Sequence, residues 1–370
     1  MPIKKRVFVS DVHMSPGWSL TNSQSCYDWF NTKEATDFAK FLNSLIADNE
    51  LQEVILLGDL MDAWVYPIEI QPPKYDKIAG AQHVQGIMTT LRELAAKKKV
   101  IYVMGNHDMT LVEAQFDNLR QTAFKNITFQ EFYDTNDGLH AEHGHSFTMY
   151  NAIDPKHEVP LGHFISRLAA TLAERKQHFY NSAEIESRFP STSNYNVDAL
   201  GMIKDPLVNA PLTYLADELG NVNDNTPITT VGGGIITLGE VRQQYSRLGI
   251  DWIASHHLLD GVRSAWREAV GLDDVAFKIA SDQGKKIVIF GHTHKEDNYY
   301  LEYPSPIVSP GPTDPPIGIY ANCGAWCNDA GETYVIDECE YDDNGAPIKH
   351  TITLKYWQGT KADIRTQIAL

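Results

Sequence analysis

Cysteine is scarce in this chain. The four present in 370 residues, Cys26, Cys323, Cys327 and Cys339, are too few and too scattered for a disulfide framework. Cys323 and Cys327 lack a second pair that would complete a zinc site. Long apolar runs are also missing. None approaches the ~18 residues of a membrane helix, and the stretch at 7–10, behind Met1-Pro2-Ile3-Lys4-Lys5-Arg6, is too short for a signal-peptide core. The expectation is a soluble, cytoplasmic protein with no stable membrane association. Basic residues are in deficit, 31 Lys and Arg against 48 Asp and Glu, for a formal net charge of −17. That balance repels nucleic acid, which is not an expected partner, and a phosphate-bearing ligand would need local positive charge. Bound metal ions are one source of it.

What is present is globular: 43% apolar and 21% charged residues over 370 positions, more than twice the roughly 150 of a typical domain. The first 145 residues alternate strand and helix patterns. Apolar runs at 7–9, 54–57 and 100–104 read as strands, and 36–46 (Phe38, Phe41, Leu42 and Leu45 at helical spacing) and 78–96 read as helices. This rhythm predicts an α/β layered sheet. From about 151 to 284 the texture changes to helical segments at 162–180, 206–219, 238–248 and 258–270, separated by polar stretches at 181–197 and 220–230. This part is expected to be an inserted, mainly helical cap. Strand patterns return at 286–290, 299–302, 317–322, 332–336 and 350–356. The expected division is therefore a core of 1–150 and 285–370 with a cap of 151–284.

Each predicted strand of the first half ends in a polar loop: Asp11-Val12-His13, Gly58-Asp59 and Gly105-Asn106-His107-Asp108. The strand at 286–290 ends in Gly291-His292-Thr293-His294, and His143 lies between. In open α/β sheets ligands bind beyond the carboxyl ends of the strands. Carboxylate, amide oxygen and imidazole together suit Mn, Fe or Zn. The steps from Asp11 to Asp59 and from Asp59 to Asn106 are 48 and 47 residues, about one strand–helix–strand unit each. Asp-x-His and His-x-His place two side chains on one side of a strand end. One aspartate can bridge two cations about 3.5–4 Å apart, and such a pair lowers the pKa of water and stabilises charge on phosphoryl oxygens.

These five blocks, in this order, resemble the signature of the calcineurin-like metallophosphoesterases. The resemblance implies a four-layer α/β/β/α sandwich and two divalent metals, with manganese favoured. One metal would be held by Asp11, His13, Asp59 and His294, the other by Asp59, Asn106, His143 and His292. It also implies that His107 contacts the phosphoryl group or protonates the leaving oxygen, with Asp108 orienting its ring. Asp62-Ala63-Trp64 and Asn322-Cys323-Gly324-Ala325-Trp326 look most like the UDP-2,3-diacylglucosamine hydrolase branch, which cleaves a pyrophosphate. Relatives there often carry Arg in place of His107 and are shorter. The expected activity is hydrolysis of a phosphodiester or pyrophosphate bond in a small, nucleotide-like substrate, with phosphomonoesterase, nuclease and non-catalytic scaffold as alternatives.

Other features have plainer readings. His145 competes with His143 for the ligand place or supports it. Asp62 serves either as partner of a ligand histidine or as a helix-start carboxylate. Trp64 and Trp326 are expected in the core. Gly232-Gly233-Gly234 lacks the Gly-Lys-Ser/Thr ending of a phosphate loop and is read as a turn. Arg167, Arg175 and Lys176 are read as solvated cap positions rather than phosphate contacts. His83, His157, His163, His178, His256, His257 and His350 are expected to be ordinary surface or core residues.

Overall fold

The computed structural model describes residues 2–17, 29–109, 119–153, 156–157, 159–176, 206–256, 264, 271–302, 316–327 and 331–370. The predicted segment at 258–270 falls outside the described residues except for Ser264, as do the polar stretch at 181–197 and the end of the helix read over 162–180.

The chain opens with β1 (Ile3–Val9), α1 (Thr32–Ala47), β2 (Leu51–Leu57), α2 (Tyr75–Ala79), α3 (Gln85–Lys97) and β3 (Lys99–Val103). Asn31 starts α1 through a capping box: its side chain accepts from Lys33 N, and the Glu34 carboxylate accepts from Asn31 N. The helix read over 78–96 is two helices, α2 and α3, because the chain turns at Gly80 and restarts at Gln85.

Three short strands follow, β4 (Ile127–Gln130), β5 (Tyr133–Asp134) and β6 (Leu139–Ala141). Next come α4 (Leu161–Lys176), α5 (Pro206–Leu219), the hairpin β7 (Pro227–Thr229) and β8 (Ile235–Thr237), α6 (Leu238–Gln244) and α7 (Leu248–His256). The chain closes with α8 (Asp273–Gln283), β9 (Ile287–Phe290), β10 (Asp297–Leu301), β11 (Gly318–Asn322), β12 (Thr333–Tyr341), β13 (Pro347–Trp357) and β14 (Ala362–Ala369).

Two sheets carry the site. One has the order β14-β13-β12-β1-β2-β3-β4, the other β10-β11-β9-β6-β5. Strands β1 to β4 run parallel, as do β11, β9 and β6, so their carboxyl ends lie along one edge. Alternation decides the layers. Phe8, Ile55, Leu57, Ile101 and Val103 of the first sheet meet Leu139, Ile287, Ile289 and Ile319 of the second. Val7, Val54, Leu56 and Val100, on the opposite face, pack under α1 and α3. Helix α8 packs on Val288, Phe290 and Tyr320 of the second sheet. The architecture is therefore helix, sheet, sheet, helix.

Leu161, Phe164, Leu168 and Leu172 of α4 form a separate cluster with Leu212, Leu215, Ile228, Leu238 and Val241. Within 151–284, helix α8 packs on a core sheet, and the β7–β8 hairpin accompanies the helices. Gly232-Gly233-Gly234 makes its turn, with Gly233 at φ +82°. Among the described residues no helix is long and apolar enough to cross a membrane.

Candidate active site

The loops after β1, β2, β3, β6 and β9 are laced together. Asp11 N donates to Gly58 O, Val12 N and His13 N to Asp59 O, and Gly291 N to His143 O, at 2.9–3.1 Å. Two glycines make this approach possible. A Cβ on Gly58 would sit 2.4 Å from His143 Nδ1, and one on Gly105 would sit 2.1 Å from Asp59 Oδ1. The non-glycine residues Asp11, His13, Asp59, His292 and His294 all have positive φ, between 51 and 68°, a conformation that costs on the order of 1–3 kcal/mol each and collects at functional sites.

The side chains those loops carry converge. His13 Nε2 faces His294 Nε2 at 3.1 Å, and Asp11 Oδ1 lies 3.2 Å from His294 Nε2 and 4.0 Å from His143 Nε2. His143 Nε2 lies 3.1 Å from both Asp59 Oδ2 and Asn106 Oδ1. Asp59 Oδ2 is also 3.9 Å from His13 Nε2, so one carboxylate oxygen stands between the two groups of ligand candidates. Asp59, His143 and His292 offer donor atoms within 4.8 Å of one another. The His292 amide donates to Asp11 Oδ2 at 2.9 Å. All seven metal-ligand candidates (Asp11, His13, Asp59, Asn106, His143, His292 and His294) are thus brought to one cluster.

A cation fits this cluster on three counts. Asp11 Oδ1 is buried and receives no hydrogen bond among the described residues. His143 donates its Nδ1 proton to Leu57 O at 2.8 Å, which leaves the Nε2 lone pair of the neutral ring facing two oxygens. Only a proton or a metal ion between them makes that arrangement favourable. The carboxylates demand positive charge throughout. Burial disfavours imidazolium, yet the neighbouring carboxylates of Asp11, Asp62 and Asp59 outweigh it and raise His13 to about 10. Burial is likewise outweighed by Asp59 and Asp11 at His143, which rises to about 9. Burial and the neighbouring His143 instead hold His292 well below its ordinary value.

A family model for the calcineurin-like phosphoesterases matches residues 4–296. The chain belongs to that family. No curated protein gives a match. Among solved structures, the Pseudomonas putida nuclease MPE is 18% identical over 37% of this chain and 53% of its own, at a TM-score of 0.23. GAP50, the anchor in the inner membrane complex of Plasmodium, is 10% identical over 100% and 89%, at 0.36. A 5'-nucleotidase precursor from Thermus thermophilus is 12% identical over 98% and 54%, at 0.31. The chain thus spans about half the length of the first and third. At these identities and TM-scores the likenesses carry no argument about activity.

The structure departs from the sequence reading beside His107. Asp108, expected to orient the ring, turns away from it: its carboxylate accepts from Gly105 N, Leu60 N and the Tyr102 hydroxyl. Burial and the nearby Asp59 raise the Asp108 acid to about 6. Residues 106–109 form a turn, not extended strand, and Asp108 is buried inside it among the loop's own amides. Asp62 takes the orienting place. Its Oδ1 accepts from His107 Nδ1 at 3.1 Å and from the amides of Trp64 and Val65, and its Oδ2 lies 3.6 Å from His13 Nδ1. Although burial opposes ionisation, His107 and His13 keep Asp62 far below the carboxylate range.

Trp64 is buried and lies over the His107 ring at 4.6 Å, while Trp326 packs on Phe38 and Phe41 in the core. Trp29 stands 4.9 Å from His13 and 5.7 Å from His294. Nothing in its local sequence pattern marks it. His145 lies 5.5 Å from the His143 ring, and its Nδ1 has no hydrogen-bond partner among the described residues. Burial and His143 lower it to about 3.

Proposed function

We propose that the chain is a dinuclear-metal hydrolase of a phosphodiester or pyrophosphate bond in a small, nucleotide-like substrate. The observation that carries this reading is the convergence of Asp11, His13, Asp59, Asn106, His143, His292 and His294, with Asp59 Oδ2 common to both halves. Asp11, His13, Asp59 and His294 would hold one ion and Asp59, Asn106, His143 and His292 the other, from among Mn, Fe and Zn. Bound there, the pair would supply Lewis acidity toward phosphoryl oxygens and toward water.

The protein's own share falls to His107. With its Nδ1 proton donated to Asp62, the ring is fixed in one tautomer, and Nε2 is the atom that takes or gives a proton at the leaving oxygen. A proton donor matters most for an alkoxide leaving group, which favours diesters. The Asp62-Ala63-Trp64 and Asn322-to-Trp326 motifs favour an anhydride of the kind cleaved by the UDP-2,3-diacylglucosamine hydrolase branch. In this reading residues 151–284 supply a cap that limits access to small or extended ligands.

Turnover of bis(p-nitrophenyl) phosphate against p-nitrophenyl phosphate with manganese tests the proposal, and faster diester hydrolysis is expected. Failure to turn over either compound, with or without metal, would overturn it. Degradation of single-stranded DNA under the same conditions would favour a nuclease instead.

A further inference from the structure

The loop after β11 carries the two cysteines that sequence spacing leaves without a role, and the structure separates them. Cys323 packs between the sheets with Ile319, Ala321 and Val335. Cys327 reaches the metal centre: its Sγ and ring nitrogens of His13 and His294 all lie within 4.8 Å of one another, and the side chain is buried. Donors about 2.0–2.3 Å from a common ion lie no more than roughly 4.5 Å apart, so a closure of a few tenths of an ångström at most brings the thiol to the place of a further ligand.

Its position is imposed by the fold. The preceding residue, Trp326, donates its amide to Asp11 O at 2.9 Å and its indole N–H to Thr333 O at 2.7 Å. Its ring lies 5.0 Å from Phe38 and 4.6 Å from Phe41. A side chain one place beyond that double anchor has little freedom to leave.

A second observation points independently to a ligand in this corner. Asp11 Oδ1 is buried, accepts no hydrogen bond among the described residues, and lies 3.2 Å from His294 Nε2 and 3.8 Å from His13 Nε2. The two imidazoles face each other through Nε2 atoms at 3.1 Å, a separation that needs a shared proton or a cation. The Asp11 carboxylate and the Cys327 thiol thus each lie beside the same pair of imidazoles, His13 and His294.

We propose that Cys327 is a thiolate donor to the cation held by Asp11, His13, Asp59 and His294, and that this position selects zinc or ferrous iron over manganese. The proposal rests on the dinuclear reading above and refines it, because the position built with Asn106 keeps only nitrogen and oxygen donors. Soft sulfur favours thiophilic ions, whereas oxygen-rich sets suit manganese. On binding, the thiol S–H breaks, the sulfur lone pair forms the bond to the cation, and the proton leaves to solvent. Metal uptake by the native chain therefore releases one more proton than uptake by a variant without the thiol.

The test is titration of the full, chelator-stripped chain with cobalt(II), read by absorption. The native chain should show visible ligand-field bands together with a near-ultraviolet sulfur-to-cobalt charge-transfer band. Cys327→Ser and Cys327→Ala should keep the ligand-field bands and lose the charge-transfer band. Their zinc-over-manganese preference in competition should fall by about tenfold or more. Ligand-field bands without the sulfur band in the native chain would overturn the thiolate and leave the dinuclear reading standing. A sulfur band that survives both substitutions would overturn it too. Failure of the folded native chain, checked by circular dichroism, to bind cobalt at all would overturn both.

Discussion

Asp62 and Asp108 are both buried carboxylates within reach of the same loop, and their hydrogen bonds assign them different work. Asp62 accepts from the His107 ring, whereas Asp108 accepts from Leu60 N, Gly105 N and Tyr102. Asp62→Asn keeps the size of the side chain but weakens its hold on the His107 tautomer. A fall in kcat of about 10²-fold is expected, with KM and metal content close to native, since proton transfer contributes roughly 10²–10⁴. Steady-state kinetics with bis(p-nitrophenyl) phosphate, alongside metal analysis, measures this, and a native rate in Asp62→Asn would remove Asp62 from the mechanism. Asp108→Asn turns an acceptor into a donor against donors that are already committed. It should appear first as a stability loss of about 1–3 kcal/mol, read as a lower urea midpoint. If the two variants exchanged these phenotypes, Asp108 would recover the orienting role that the sequence suggests.

Strands and loops ending in ligands were legible because one period and one loop chemistry repeat: the apolar runs at 54–57 and 100–104 lie within β2 and β3, and their tips carry Asp59 and Asn106. Elements without a period were not legible. Strands β7 and β8 have three residues each, and β14 is largely exposed on an edge, so neither shows a buried face in its alternation. Asp62 and Trp29 could not be assigned, because which neighbour meets His107 or His13 depends on loop geometry.

Arg167 shows the same limit at the level of one helix. Read as a solvated position, it is instead fully buried in α4 and donates to the carbonyls of Tyr66, Pro67, Ile70 and Thr229 at 2.5–2.7 Å. It ties the helix to the segment just beyond Asp62 and Trp64. Arg175 and Lys176 pair with Glu69 and Glu218 near solvent, as such positions ordinarily do. Arg167→Met would leave the four carbonyls without their donor, and a loss of about 3 kcal/mol or more is expected. Arg167→Lys should rescue little, because one ammonium cannot reproduce a planar fork. Thermal unfolding of both variants checks this, and a native midpoint for Arg167→Met would show that the helix is held elsewhere.

For the whole molecule, two charge clusters sit at opposite ends of the parallel strands and respond differently to solution conditions. At the carboxyl ends, the buried carboxylates of Asp11, Asp59 and Asp62 crowd among imidazoles, where a bound cation would take over their neutralisation. Chelation should therefore lower the melting temperature, and added divalent metal should restore it in a concentration-dependent way. At the other end, Arg6 of β1 is held by Asp137, from the turn between β5 and β6, and by Asp337 of β12. His350 of β13 donates to Asp337 at 2.7 Å and meets Asp137 O at 3.0 Å. The cluster thus pins one sheet to the other.

Burial opposes the charge on His350, but Asp337 outweighs it and raises the ring above its ordinary value. A group raised on folding contributes stability that is complete below its unfolded pKa, about 6.5, and is lost as pH rises through the folded value. For Asp137 the sign reverses. Burial favours the neutral acid, yet hydrogen bonds from Thr135, Tyr341 and Arg6 hold it down to about 2. Its contribution is complete above the ordinary aspartate value and disappears as pH falls toward about 2. Urea unfolding of the native chain and of His350→Gln should therefore show a stability gap that is complete below the ordinary histidine value of about 6.5 and narrows as pH rises above it. The corresponding gap for Asp137→Asn should close only in acid. A His350→Gln gap that stays constant as pH rises, or that widens with pH, would mean the imidazole is neutral in the folded protein and its bond to Asp337 an ordinary hydrogen bond.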